Sequence, residues 1–134
     1  MIRPGVRSAG RAPDRRTRGG RARREGRRAE WWCALWLMLR GYRLLGFRLK
    51  TPQAEIDILA LRDGVVAVIE VKRRRTLGEA LEAVGAAQRR RLIAAAGGLA
   101  ARRPDLAAAP VRLDLIALAP GRLPRHIPDA WRDA

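Results

Sequence analysis

The sequence predicts a small mixed α/β domain, a central sheet with helices packed against it, and three observations carry that prediction. Two short aliphatic segments, 54–61 (AEIDILAL) and 65–72 (VVAVIEVK), are separated by Asp63-Gly64, the strongest local signal for a two-residue hairpin. A helical region then runs from about Thr76 to Pro104. Beyond it, Val111–Leu118 alternates partly between Pro110 and Pro120, so it reads as a strand reached by a helical crossover and parallel to a neighbour. The resulting order is helix, three strands, helices, strand. At 134 residues the chain holds one domain at most.

Taken from the beginning, residues 1–28 carry 11 arginines against Asp14 and Glu25, with Gly, Pro, Ser and Thr between them and no apolar period; they read as a disordered basic arm. The arm lacks the apolar centre of a secretory signal, although an Arg-rich, acid-poor transit peptide has a similar composition. The longest apolar run, 31–39, is too short to span a bilayer, so a cytoplasmic protein without a membrane partner is expected. Residues 29–39 form a helix that begins somewhere in 20–28 and is closed by Gly41. Residues 42–50 make a first strand, Thr51-Pro52 a loop, and the hairpin follows. Thr76 with Glu79 gives a capping box for a short helix through about Val84. Gly85 interrupts, and 86–102 continues helical, weakened by Gly97-Gly98 and ended by Pro104. A short helix is expected at 128–132. There is no internal repeat.

Counting back from the hairpin turn, Asp57 faces Glu70 and Glu55 faces Lys72. Opposed Cβ atoms in an antiparallel pair lie about 4.5–5.5 Å apart, where like charges destabilise the sheet, so something positive belongs between Asp57 and Glu70. Two carboxylates, a strand carbonyl such as that of Val71 and water suit Mg²⁺, which prefers hard oxygen ligands and keeps part of its hydration shell. The plainer reading is a solvated sheet face with a Glu55–Lys72 ion pair worth a few tenths of a kcal/mol. Two features favour the metal. Residues 65–72 are nearly continuous apolar positions, the pattern of a strand covered on both faces. Of 29 basic residues only Lys50 and Lys72 are lysine, and an ammonium can orient an attacking water where a guanidinium is bulkier and permanently charged.

The net charge is +16, and 18 basic against 11 acidic residues leave +7 on positions 29–134 alone. That excess favours a polyanionic partner, nucleic acid, with Arg73, Arg74, Arg75, Arg89, Arg90 and Arg91 as phosphate-binding candidates; Arg102 and Arg103 read better as a solvated helix end. The single Cys33 cannot form an intramolecular disulfide, and one histidine, His126, is too few for a zinc site, so both read as packing or surface residues. Trp31, Trp32, Trp36 and Trp131 read as core or dimer packing ahead of base stacking.

The segments GRRAEWWCALWLMLRGYRLL, AEIDILALRDGVVAVIEVKRR, EALEAVGAAQRRRL and VRLDLIAL together resemble the YraN family of small bacterial proteins, over about residues 24–118. That family looks like a minimal member of the PD-(D/E)xK nuclease superfamily, similar to archaeal Holliday-junction resolvases. The resemblance implies a restriction-endonuclease-like fold and a metal-dependent endonuclease acting on DNA, branched DNA included. By position it implies Asp57 and Glu70 as ligands for Mg²⁺ or Mn²⁺ and Lys72 as the group that positions water or steadies transition-state charge. It further implies Glu30 as holder of a metal-bound water or second ion, and Gln88 as an orienting group for Lys72 or the phosphate. On the residues alone, Glu30 equally fits an early-helix acid paired with an arginine, and Gln88 a surface residue. The chain departs from the family at Ala54, where glycine is usual before Glu-Ile-Asp, and at Gly85-Ala86, where Thr-Pro is usual. Two other expectations stand beside the enzyme: a nucleic-acid-binding accessory protein that keeps the fold without turnover, and an adaptor or homodimer formed through the tryptophan-rich helix.

Overall fold

The structure, a computed structural model, describes residues 28–132. The expected basic arm lies outside the described residues, except Arg28, which already belongs to the first helix, α1, at 28–39. Gly41 takes φ +91°, and the amides of Gly41 and Tyr42 return to the Met38 and Leu37 carbonyls, so α1 ends on a left-handed glycine as its sequence requires. Five strands and two further helices follow: β1 (Arg43–Lys50), β2 (Glu55–Arg62), β3 (Val65–Arg73), α2 (Leu77–Glu82), α3 (Ala86–Ala101), β4 (Val111–Leu118) and β5 (Arg125–Ile127).

The sheet order is β1-β2-β3-β4-β5, with β3 and β4 parallel and the other pairs antiparallel. This open mixed sheet flanked by helices is compatible with the restriction-endonuclease-like fold. Asp63 and Gly64 have φ +52° and +76°, the two positive values of a type I′ turn, and Arg62 pairs with Val65 as counted from the sequence. Thr76 accepts the Glu79 amide at 3.1 Å and opens α2, and Gly85 separates α2 from α3.

The two sheet faces carry separate cores. Val66, Val68 and Leu113 pack with Leu92, Ala95 and Ala96 of α3. Ala67, Ile69 and Ile116 pack with Cys33, Ala34 and Leu37 of α1.

Three expectations change. The tail adds a strand, β5, beside β4. Residues 128–132 are turns instead of a helix, because Asp129 adopts φ +51° and its amide is drawn to the Asp114 carboxylate at 3.0 Å. Trp36 and Trp131 pack against the two cores as expected, but Trp31 and Trp32 do not. The buried stripe of α1 is Cys33, Ala34 and Leu37, small enough at two positions to bring the helix close to the sheet, so Trp31 and Trp32 stay 59% and 68% exposed. Trp36 and Trp131 are half-buried.

Candidate metal centre

The β2–β3 ladder runs from Arg62↔Val65 to Ile58↔Ile69. Its last rung falls one residue short of Asp57 and Glu70, so the acids are not a ladder pair, and Glu55 pairs with Lys50 of β1, not with Lys72. Ile56 packs in the α3-side core and Ile58 in the α1-side core, so the two-residue alternation of β2 breaks at Asp57. The Asp57 carboxylate there accepts the Val71 amide at 2.8 Å, satisfying a donor of β3 just past the last rung.

Glu70 is 5% exposed because β3 is covered on both faces. Lys72, two residues on, brings Nζ to 3.4 Å from Glu70 Oε1. The other oxygen, Oε2, is buried without a hydrogen-bond partner among the described residues. Burial, followed by the nearby Asp57 charge, pushes the Glu70 carboxyl up to about 7, and burial also raises Asp57. Lys72 meets one oxygen of Glu70, and the other, in the field of the half-buried Asp57 carboxylate, is an unsatisfied acceptor of the kind that a hard divalent ion could take. Among the described residues no three His, Cys, Asp or Glu side chains gather into a metal-binding cluster. The side chains that could hold an ion here are Asp57 and Glu70, and two carboxylates would suit one that fills the rest of its shell with backbone oxygen, water or phosphate.

Glu30, from the first turns of α1, accepts Arg48 Nη1 at 2.7 Å. Its carboxyl is also raised, by burial and then by Asp57, which places it in the field of the acid pair. Arg48 takes φ +51° inside β1, a conformation sparsely used by residues other than glycine, and its second nitrogen lies 3.9 Å from Glu55. Gln88 is half-buried on α3, and no hydrogen bond joins it to Lys72 among the described residues. Arg73, Arg74 and Arg75 follow Lys72 directly at the end of β3, where Arg74 and Arg75 border a cavity shared with Arg122 and Arg125. Arg89 and Arg90 line a different cavity with Val65 and Val111. At about 3.3 Å per strand residue, that is roughly 20 Å or more from Lys72, so these two do not surround the acid pair. Arg91 is exposed.

A family model described as "Uncharacterised protein family UPF0102" matches residues 29–118. The chain belongs to UPF0102. This is the YraN family that the sequence resembles. A UPF0102 protein of Caulobacter vibrioides (strain NA1000 / CB15N) is 61% identical over 120 residues, covering 90% of this chain and 96% of its own. One from Caulobacter sp. (strain K31) is 60% identical over 121 residues, 90% and 87% of the two chains. One from Paramagnetospirillum magneticum is 49% identical over 115 residues, 83% and 89%. The matched span of the UPF0102 chain contains Glu30, Asp57, Glu70, Lys72 and Gln88.

Sequence reasoning passed over a buried network in the UPF0102 domain. Asp114, fully buried on β4, accepts Arg112 Nε and Nη2 at 2.7 and 2.8 Å and the Asp129 amide at 3.0 Å, and pairs with His126 Nε2 at 2.8 Å. Burial works to raise the Asp114 carboxyl, but bonds from His126, Arg112 and Asp129 outweigh it and hold the group below its usual range. Arg112 also donates to Tyr42 Oη at 2.9 Å, and the His126 ring meets Trp36 of α1 edge-on at 6.0 Å. The network thus ties β4 and β5 to α1 and the turn after it, the helix that carries Glu30. The signal was Arg-x-Asp within 111–118 and one downstream histidine, too common a pattern to single out. Cys33 is buried as expected, and burial raises its thiol to about 12, which leaves it neutral and unreactive.

Without divalent ions, stability is expected to fall as pH rises from about 4.5 towards about 7, because folded Glu70 holds a proton that the unfolded chain has released. Glu70→Gln should remove much of that fall and add on the order of 2–3 kcal/mol at about pH 8. Urea unfolding of chelator-treated protein at acid and alkaline pH measures it, and parallel wild-type and variant curves would contradict it.

Proposed function

We propose that this protein is a metal-dependent endonuclease that hydrolyses phosphodiester bonds in DNA. The observation that carries the reading is the buried, unpartnered Oε2 of Glu70 beside Asp57 and Lys72. Asp57 and Glu70 hold Mg²⁺ or Mn²⁺, whose chemistry there is to polarise the phosphoryl oxygen and acidify water. Lys72 donates to the attacking water or to the charge that develops on the phosphoryl oxygens. Glu30, oriented by Arg48, accepts a hydrogen bond from water at the edge of the site. Arg73, Arg74 and Arg75 meet the DNA backbone at the same end of β3, and the +7 excess on residues 29–134 draws the polyanion in.

The test is incubation of purified protein with supercoiled, linear and four-way-junction DNA, with Mg²⁺, Mn²⁺ or chelator. Metal-dependent cleavage supports the reading. Salt-sensitive binding without cleavage in either metal would replace it with a DNA-binding accessory role.

A second reading has its own observation. Trp31, Leu35, Met38 and Leu39 of α1 are exposed, an apolar face of the kind that docks on protein. Sedimentation over a range of concentrations separates the two: self-association abolished by Leu39→Glu with cleavage absent in the wild type would favour a docking protein.

A further inference from the structure

Trp32 stands apart from the other tryptophans. Trp31 packs on Phe47 at 4.9 Å, Trp36 lies against His126 and under the Arg40 guanidinium, and Trp131 donates to the Leu81 carbonyl. Trp32 has no ring contact or hydrogen bond among the described residues and is 68% exposed. An indole left in water is unusual unless it serves an interface.

It is also a wall of a cavity. Trp32 and Ala29 of α1, Arg73 at the end of β3, and the 118–122 segment with Arg122 line an open groove of about 430 Å³. That falls within the roughly 300–1,000 Å³ of small-ligand sites. Arg73 ends β3 one residue after Lys72 and, by strand alternation, points to the α1 face with Ala67 and Ile69, so the cavity lies at the same end of β3 as the acids but on the α1 side of the sheet. Arg122 borders this cavity and the adjoining one that Arg74, Arg75 and Arg125 line, giving a continuous cationic edge. A flat, uncovered aromatic beside guanidinium groups provides the two contacts that unpaired nucleotides need, a stacking plane and a partner for phosphate.

We infer that this cavity is a nucleotide subsite, in which an unpaired base stacks on Trp32 while Arg122 binds the adjoining phosphate. The inference rests on the nucleic-acid reading above and adds to it a substrate class, strands with unpaired bases. A continuous duplex keeps its bases stacked inside and cannot offer this contact.

The test measures binding alone. A short oligothymidylate and a blunt duplex of equal length are titrated by fluorescence anisotropy into the full chain, with divalent ions chelated. Trp32→Ala should weaken oligothymidylate binding by about 5- to 150-fold, the span of one lost stacking contact, and Trp32→Phe should recover most of it. Arg122→Gln should lower the slope of log affinity against log salt by about 0.7. Duplex affinity should change less than twofold in Trp32→Ala. If Trp32→Ala binds oligothymidylate like wild type, or weakens duplex equally, the subsite is wrong while the nuclease reading stands or falls on its own cleavage assay. If instead Trp32→Ala changes sedimentation and leaves oligonucleotide affinity alone, the indole is a protein contact and the inference is overturned. If wild type binds no oligothymidylate, the subsite is wrong, and the cleavage assay in Mg²⁺ or Mn²⁺ still decides the nuclease reading.

Discussion

Asp57→Ala and Glu70→Ala are each expected to lower metal-dependent cleavage of supercoiled DNA by on the order of 10³-fold, since removing a ligand forfeits several kcal/mol of charge stabilisation by the ion. Lys72→Ala should cost on the order of 10²–10³-fold, the loss of one donor aimed at developing charge. The three losses should be far from additive, because the groups act on one reacting centre. Asp57→Ala also strips the Val71 amide of its acceptor, so isosteric variants control for folding. The Asp57 and Glu70 carboxyls are raised by burial, so neutral substitutes such as Asp57→Asn and Glu70→Gln remove charge from a site that disfavours it and should keep or improve stability. Nicking rates at saturating Mg²⁺ or Mn²⁺ check this. Losses of only a few-fold in the folded Asn and Gln variants would place catalysis elsewhere.

Asp114→Ala is expected to destabilise the fold by about 3–5 kcal/mol, the cost of removing one partner from a buried ion pair and leaving the other uncompensated. The reason is visible in its partners. Arg112 loses a two-pronged acceptor at 2.7 and 2.8 Å, and His126 and the Asp129 amide lose theirs at 2.8 and 3.0 Å. Because Asp114 is held below its usual carboxylate range, its contribution is present at neutral pH and disappears as pH falls through the folded value. Denaturant midpoints for wild type and Asp114→Ala should therefore differ most at neutral pH and converge in acid. A difference below about 1 kcal/mol at neutral pH would mean that the network is incidental to the fold.

Much of this molecule was legible in the sequence where a local rule decides the outcome. Asp63-Gly64 specified a type I′ turn, Gly41 the end of α1, Thr76 the start of α2, and the crossover from α3 the parallel pairing of β4. The buried state of Glu70 followed from the apolar run around it. What escaped was set by long-range geometry. The ladder count extended one rung too far, because nothing in the letters around Asp57 marks where β2 and β3 part. Nothing marked Arg48 as the residue that takes a left-handed conformation to reach Glu30, and β5 with its turn depends on a buried carboxylate 15 residues upstream of Asp129. Core packing was legible for Trp36 and Trp131 but not for Trp31 and Trp32, which stay exposed because α1 turns its small residues to the sheet.

The claim on which the rest stands is that Asp57 and Glu70 together hold a divalent cation. Calorimetric titration of Mn²⁺ into chelator-stripped full-length protein tests it most directly, free of any assumption about substrate. Saturable binding that weakens by on the order of tenfold or more in Glu70→Gln and in Asp57→Asn is the predicted result. Mn²⁺ affinity equal in wild type and both variants, or no saturable binding in the wild type, would contradict it.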